Sequence, residues 1–493
     1  MLQLLKRADK VRRNVAPSIS QKHKAELGQY MTPFSIARFM ASIFPESTIK
    51  KCKLLDAGAG VGALSCAFLD RWATGGFSFS NIEVCAYEVD SVLRAHLIQI
   101  LSSYNDSLAV QTNIFMDDFI KHAAMLCKNG QRDFTHAILN PPYKKINSHS
   151  EHRLTLRTIG IETVNLYSAF VALAVELAAE GGQIVAIIPR SFCNGPYYRP
   201  FRDFLLERVA IRHMHLFDSR KKAFRDDNVL QENIILLLER GGQQGDVKVT
   251  TSTDDTFDDL VKHTFPFNRI VFSDNLEHFI HVPTSQKPNN IEGSTSINYT
   301  LEDLGIKIST GPVVDFRLRN HLRDMPESDT VPLLYPVHFS GKKVEWPKPG
   351  IKKPNAILRN AETEKWLYPN GFYCVVRRFS SKEEKRRIVA CVAQPSTFGN
   401  AEMIGIENHL NVYHENKHGL PEAFAHGLAA YLNTTEVDRN FRLFSGHTQV
   451  NATDLKMLKY PCREKLIALG EWAMHCHELT QELIDGQLRI LIA

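Results

Sequence analysis

None of the nine cysteines stands in a Cys-x-x-Cys pair, so the chain signals neither a zinc site nor a disulfide framework, and a reducing cytoplasm is the expected setting. No uninterrupted apolar run is long enough to span a bilayer. The start, Met1-Leu2-Gln3-Leu4-Leu5-Lys6-Arg7, runs into further charge and not into an apolar segment with a cleavage site, so neither a membrane nor an export role is expected. Charge of one sign is also scarce: 59 Lys and Arg face 54 Asp and Glu, and the resulting +5 permits a polyanionic partner without demanding one. What remains is ordinary globular composition over 493 residues, enough for two or three domains with a sizeable core.

One stretch organises the rest. Thr135-His136-Ala137-Ile138-Leu139 reads as a short buried strand that stops in the turn Asn140-Pro141-Pro142-Tyr143. Two consecutive prolines fix φ twice and remove two backbone donors, and the first pushes Asn140 out of helical space. The turn is therefore stiff, and it offers an amide, unpaired carbonyls and an aromatic face at the carboxyl end of a strand, where open α/β sheets place their ligands. Such groups suit a planar substrate with an exocyclic amine: the Asn140 oxygen and a proline carbonyl accept from the NH₂ while Tyr143 stacks on the ring. Taken alone, the same four residues also make a tight surface loop.

Around this turn the chain reads as a nucleotide-binding α/β unit. Residues 1–28 form a basic, helical arm with Lys6, Arg7, Lys10, Arg12, Arg13, Lys22 and Lys24, either solvated or in contact with phosphate. In Gly28-Gln29-Tyr30-Met31-Thr32-Pro33, Thr32 is suited as an N-cap and Pro33 as a first helical residue, giving a helix end that can hold a carboxylate or simply a capped helix. A strand over 53–55 enters Asp56-Ala57-Gly58-Ala59-Gly60-Val61-Gly62, and a helix follows over 63–72. A second strand over 82–87 ends in Glu88-Val89-Asp90, where an acid usually holds a ribose diol. A third, over 108–114, is closed by Asp117-Asp118-Phe119, in which an aspartate can accept from an adenine amine beside the Phe119 ring.

Beyond the opening motif, the periodicity predicts a helix over 165–179 stopped by Gly181-Gly182, a strand over 183–189, a helix over 201–209, and strands over 211–217 and 232–239. The last two are joined by a charged connection carrying Phe224, either a small packing anchor or a second stacking wall opposite Tyr143. His213 and His215 alternate along a strand and are expected to be structural. Gly241-Gly242-Gln243-Gln244-Gly245 reads as a linker. The expected domains are thus the arm 1–28, a Rossmann-like α/β catalytic domain 29–245, a connector 246–300 without placed elements, and a C-terminal α+β domain 301–493.

In that last domain Arg377-Arg378 and the run Lys382-Glu383-Glu384-Lys385-Arg386-Arg387 are interleaved with Phe372, Tyr373 and Phe379, a mixture that suits a nucleic-acid surface, although mixed-charge runs are usually solvated. Ser445, His447, Thr448, Gln449 and Asn451 carry groups that can read base edges or grip phosphate, with a polar surface loop as the other reading. Residues 464–488 read as one long amphipathic helix.

The ordered set Gly28 to Pro33, Asp56 to Gly60, Glu88 to Asp90, Asp118-Phe119 and Asn140 to Tyr143 resembles the γ-class adenine-N6 DNA methyltransferases of restriction-modification systems. Asn165-Leu166-Tyr167, Ser219 to Phe224 and Ser445 to Asn451 extend the resemblance to the whole chain and to its PstI-type members with one C-terminal recognition domain. The resemblance implies S-adenosylmethionine as donor, with Tyr30, Thr32 and Pro33 at its methionine end, Asp56, Ala57, Gly58 and Gly60 wrapping it, Glu88 and Val89 at the ribose, and Asp118 and Phe119 at the adenine. It further implies that Asn140 and Pro141 accept from the target amine, with Pro142 stiffening the turn and Tyr143 and Phe224 sandwiching the base. The implied partners are double-stranded DNA and a cognate restriction endonuclease acting separately; monomer and dimer both stay open. Some relatives carry Glu or another residue in place of Asp56.

The chemistry has its own logic. Adenine's amine is a poor nucleophile because its lone pair is delocalised, and two acceptors at the nitrogen favour a pyramidal form; transfer then rests on positioning and charge stabilisation, without a metal. A base stacked in duplex DNA must first be flipped out, at a cost of roughly a few kcal/mol. A glutamine methyltransferase acting on protein also holds a planar amide in an Asn-Pro-Pro-Tyr turn, and an RNA substrate or a non-catalytic DNA specificity subunit are further alternatives. The basic, aromatic C-terminal half argues for DNA, and the intact turn for catalysis.

Overall fold

The computed structural model describes residues 3–17, 28, 30–105, 109–218, 232–286, 291 and 294–492, and the chain divides into two compact units between residues 286 and 287. The first unit is built on a nine-stranded sheet. Strands β1 (Lys51–Ala57), β2 (Asn81–Tyr87), β3 (Val110–Phe115), β4 (Phe134–Leu139), β5 (Ala178–Pro189), β6 (Val209–Phe217), β7 (Asn233–Arg240), β8 (Val247–Ser252) and β9 (Val261–Phe265) lie in the order β3-β2-β1-β4-β5-β7-β6-β8-β9. The strands from β3 to β5 are parallel, and β7 runs antiparallel to both β5 and β6.

The short apolar stretches Leu54-Leu55 of β1 and Ala137-Ile138-Leu139 of β4 follow from burial on both faces. Alternate residues part company: Leu55, Ala57, Ala137 and Leu139 join one core, Leu54 and Ile138 the other. Helices α1 (Gln3–Val15), α2 (Phe34–Ser42), α3 (Ala63–Ala73) and α4 (Ser91–Asn105) supply the second core, whereas α5 (Phe119–Lys128), α6 (Glu151–Arg157), α7 (Leu166–Leu177) and α8 (Arg199–Arg208) supply the first. The strand order reverses between β1 and β4. Their carboxyl ends therefore flank the crevice where such sheets bind ligands, and both the glycine turn after β1 and the Asn-Pro-Pro-Tyr turn after β4 open onto it. Gly58 and Gly60 sit at φ of 79° and 59°, a region that the turn requires and that side chains disfavour.

Several sequence expectations are corrected. Over its described part the basic arm is a helix packed on the sheet unit: α1 buries Leu5 and Ala8 in the core, Asp9 pairs with Arg12 and Arg13 at 2.9 Å each, and Lys6, Arg7, Lys10 and Arg13 stay exposed. Lys22 and Lys24 lie outside the described residues. Gly181-Gly182 does not stop the helix but lies within β5, because Ala178 leaves helical geometry to pair with Phe134. The linker at 241–245 is a turn inside the sheet domain: Val247, Val249, Phe265, Ile280 and Val282 are buried in its core, so the sheet unit extends through the expected connector to residue 286.

The second unit is α+β. A four-stranded sheet places Leu410–His414 and Tyr373–Arg377 between Lys307–Thr310 and Ala390–Ala393, beside a five-stranded one. The expected single C-terminal helix is two, Arg463–His475 and Gln481–Ile492. The break lets the second return to Thr434-Thr435: Asp485 accepts from the backbone N–H and the hydroxyl of Thr435 at 2.7 and 2.6 Å, and Gln481 donates to the Asn433 carbonyl at 2.9 Å. No helix among the described residues is long and apolar enough to cross a membrane.

Candidate active site

A cavity of about 440 Å³ lies over the carboxyl ends of β1 and β4, within the ordinary range of ligand sites. Its walls come from the residues around Thr32, the glycine turn, Glu88 and Val89, Asp118 and Phe119, and Asn140 and Pro142, with Lys144 to Asn147, Ser150, His152 and Phe170 closing one side.

Asn140 is the most tightly constrained of these. Its side chain is 8% exposed, and its amide nitrogen donates to the Tyr30 carbonyl at 2.8 Å and to the Thr32 hydroxyl at 3.0 Å. That pattern assigns the amide orientation and turns the oxygen, an acceptor, the other way. The Tyr143 hydroxyl reaches both this oxygen, at 3.1 Å, and the Ile187 carbonyl, at 3.2 Å. One phenolic proton serves only one acceptor at a time, so the Asn140 oxygen keeps capacity for another donor. Burial pushes the Tyr143 phenol well above its usual range, which keeps it a neutral donor. The Tyr143 N–H is held by the Gly28 carbonyl at 3.0 Å, tying the turn to the segment before α2.

Thr32 was expected to cap the following helix. Instead Pro33 is the N-cap residue, its carbonyl accepting from Ala37 at 2.9 Å, and the Thr32 hydroxyl serves Asn140. Pro33 and Pro141 are not among the residues that line the cavity.

Glu88 is buried at the turn, where one oxygen accepts from Gly60 N–H and the other from Asp90 N–H, both at 2.8 Å. Burial raises its pKa, and these two bonds oppose the rise. Each oxygen keeps a lone pair toward the cavity, which fits a diol. Gly60 faces open space: a Cβ there meets nothing within 4 Å, so the turn leaves room for a bound group. Asp56 and Ala57 stand behind the turn. Asp56 is fully buried and accepts from both the backbone and hydroxyl of Ser65, at 3.1 and 2.6 Å, thereby fixing the start of α3. Burial pushes its pKa up to about 7 against those bonds, and its other oxygen has no hydrogen-bond partner.

Asp118 caps α5 through Lys121 N–H at 3.2 Å and takes the His152 ring nitrogen at 2.7 Å. Burial works against ionisation of Asp118, but the His152 contact and backbone N–H bonds outweigh it and hold the carboxyl below its usual value. Phe119 and Phe170 pack at 4.9 Å and give this end of the cavity an apolar floor. Such a slot, acid at the rim and rings below, fits a purine.

His152 carried no signal in the sequence, because its meaning depends on the fold bringing α6 to the start of α5. Tyr143 sits in a row of rings, 5.3 Å from Tyr30 and 6.1 Å from Tyr167. The expected opposite wall, Phe224, lies outside the described residues.

In the second unit the expected DNA-contacting residues separate. Ser445 is 1% exposed and accepts from Arg387 at 3.2 Å, and Asn451 caps the short helix Ala452–Lys456 in a reciprocal box with Asp454. Both side chains are committed inside the unit. Arg377 pairs with Glu384, while the backbone carbonyls of Lys382, His447 and Thr448 accept from Arg442, Arg387 and Ser380. Arg378 and Gln449 come together at 3.4 Å, and Thr448 is exposed. Arg387 is buried in the unit's interior, not part of a basic surface.

A family model described as Eco57I restriction-modification methylase matches residues 79–224. Over its full length the chain is 52% identical to the type II methyltransferase M.BsuBI of Bacillus subtilis, 99% of which it covers. It is 41% identical to the type II methyltransferase M.PstI of Providencia stuartii, across 93% of this chain and 91% of that protein. A DrdV–DNA complex solved by cryo-electron microscopy shares the fold at a TM-score of 0.53 and 12% identity, across 96% of this chain and 60% of that one.

Proposed function

Because the chain belongs to the type II methyltransferases of restriction-modification systems, a DNA-methylating family, we propose that it transfers a methyl group from S-adenosylmethionine to N6 of an adenine flipped out of double-stranded DNA. The observation that carries this reading is the locked amide of Asn140, whose nitrogen is spent on Tyr30 and Thr32 and whose oxygen is left as an acceptor at the carboxyl end of β4.

Glu88 would hold the donor's ribose, and Asp118, Phe119 and Phe170 its adenine, with Tyr30 to Thr32 and the Gly58 to Gly60 turn around the rest. Bound there, S-adenosylmethionine supplies an electrophilic methyl group on sulfur. Asn140 and the Pro141 carbonyl accept from the target amine, drawing electron density onto N6 and fixing the direction of its lone pair, while Tyr143 packs against the base. The acceptors are built into a stiff turn, so their orientation costs little at the moment of reaction. Flipping costs roughly a few kcal/mol, and aromatic contact in the pocket offsets it. The second unit would select the site, and a separate nuclease of the same specificity is the partner this arrangement serves.

Long-read sequencing of DNA from a methylation-free host expressing the chain tests this directly. N6-methyladenine at one fixed context, lost in Asn140→Ala, is the expected result; a marked cytosine or an unmarked genome overturns it.

A further inference from the structure

Glu407 is 0% exposed, and both of its carboxylate oxygens serve a single residue: one accepts from His409 N–H at 2.8 Å, the other contacts His409 Nδ1 at 2.6 Å. Burying a carboxylate is costly unless it is paired, and this one is paired with an imidazole whose side chain is 41% exposed. With Nδ1 engaged by the buried acid, the ring is fixed in orientation and Nε2 is the atom turned away from it. Such an arrangement holds a surface histidine for use.

Around it stand a ring, an arginine and an amide, with Asp315, itself paired with Lys353 at 2.7 Å, close enough to act on the imidazole. The His409 ring lies 4.8 Å from the ring of Phe379, a residue 39% exposed, and the Arg378 guanidinium lies 5.8 Å from the same ring. Arg378 donates to the Asn408 carbonyl at 3.1 Å and to the Gln449 side-chain oxygen at 3.4 Å. The second bond uses the Gln449 acceptor and leaves its NH₂ group as the outward donor. Backbone bonds hold the three segments in register: Arg378 N–H donates to the His409 carbonyl at 2.8 Å and Val450 N–H to the Arg378 carbonyl at 2.7 Å.

The arginine and the glutamine amide supply donors that match the N7 and O6 acceptors of purine edges. The imidazole, whose Nδ1–H goes to Glu407, presents Nε2 as an acceptor for an exocyclic amine such as N6 of adenine or N4 of cytosine, and the ring offers an apolar surface for a thymine methyl. We propose that His409, Arg378, Phe379 and Gln449 form an edge that reads bases in the major groove of double-stranded DNA, with Glu407 as the positioning residue that aims His409. This rests on the DNA substrate proposed above and names the side chains that select the sequence. A solvated surface needs neither the buried acid nor the exposed ring.

The test uses the full chain and two variants, His409→Ala and Gln449→Ala, with fluorescence anisotropy on a duplex carrying the methylated context and on a scrambled duplex. The expected result is a fall of about tenfold in affinity for the cognate duplex alone, so that the cognate-to-scrambled ratio drops while binding of S-adenosylmethionine, measured by calorimetry, is unchanged. Glu407→Gln should lower the same ratio by a smaller factor. A wild-type chain that methylates its context while both alanine variants keep the wild-type ratio overturns this inference and leaves the proposed function standing. A wild-type chain that selects no duplex overturns both.

Discussion

Asn140 donates to the hydroxyl of Thr32 at 3.0 Å, linking two segments 108 positions apart. The bond sets which way the Asn140 amide faces, so under the proposed function it bears on the chemistry more than on the stability of α2. Thr32→Val removes the acceptor and leaves the amide nitrogen on the Tyr30 carbonyl alone, a loss of about 1 kcal/mol of orienting energy. Single-turnover methylation should slow by about fivefold to tenfold in Thr32→Val, be largely restored in Thr32→Ser, and vanish in Asn140→Ala with DNA affinity largely kept. Equal rates in the valine and serine variants would remove Thr32 from the mechanism.

The Asp118–His152 contact at 2.7 Å closes α6 onto the end of the cavity floored by Phe119 and Phe170. The bond to Asp118 raises the His152 pKa, while Asp118 is held below its usual value despite burial. A histidine with a raised folded pKa stabilises fully below its unfolded value, about 6.5, and loses that contribution as pH rises through the folded value. The depressed carboxylate contributes above its unfolded value, about 3.9, and loses it as pH falls through the folded one. The pair is therefore strongest between roughly pH 4 and 6.5. Both side chains are about a third exposed, so solvent keeps the effect to less than about 1 kcal/mol. The melting temperature of wild type minus that of His152→Asn should be largest in this window and shrink above it. A difference independent of pH would contradict the pairing.

The parts of the site legible in the sequence are those whose backbone demands particular residues. Gly58 and Gly60 need positive φ, Asn140 to Tyr143 needs two prolines, and the strands before them carry short apolar stretches, Leu54-Leu55 and Ala137-Ile138-Leu139; each leaves a local mark. The parts that stayed hidden are side-chain partnerships made across the fold. Nothing near Thr32 says that its hydroxyl turns to Asn140 rather than to its own helix. Nothing near His152 or Glu407 announces the partners they meet. Basic runs misled for the same reason: Arg386 donates to the Thr434 carbonyl at 2.8 Å and Arg387 is buried, so charge read as surface is spent inside. The turn at 241–245 looked like a domain end because glycine marks a change of direction equally well inside a sheet and between domains.

Asp56 should make stability fall with pH. Burial raises its folded pKa to about 7, against about 3.9 when unfolded, so the folded state holds the extra proton in between and stability declines as pH rises across that interval. Asn at this position still accepts from Ser65 and carries no charge. Relative to wild type, Asp56→Asn should gain stability between pH 5 and pH 7.5 in urea unfolding, whatever its offset at pH 5. A constant offset would place the Asp56 titration elsewhere.

Gly427 and Gly470 bring the helices Glu422–Leu432 and Arg463–His475 into backbone contact. A Cβ on Gly427 would lie 1.8 Å from the Leu466 carbonyl oxygen, and one on Gly470 would lie 1.6 Å from that of Ala423. Neither obstacle is a flexible side chain that can swing aside, so the helices themselves must separate. Alanine ordinarily favours a helix over glycine by roughly 0.5–1 kcal/mol, and here that gain is opposed by overpacking of about 1–3 kcal/mol or more. Gly427→Ala and Gly470→Ala should each lower stability against urea, and the double variant should lose less than the sum, because the first substitution already forces the helices apart. Gly486 provides the control: a Cβ there meets nothing within 4 Å, so Gly486→Ala should be neutral or stabilising. Equal responses at all three glycines would mean that helix propensity, and not the close approach, governs these positions.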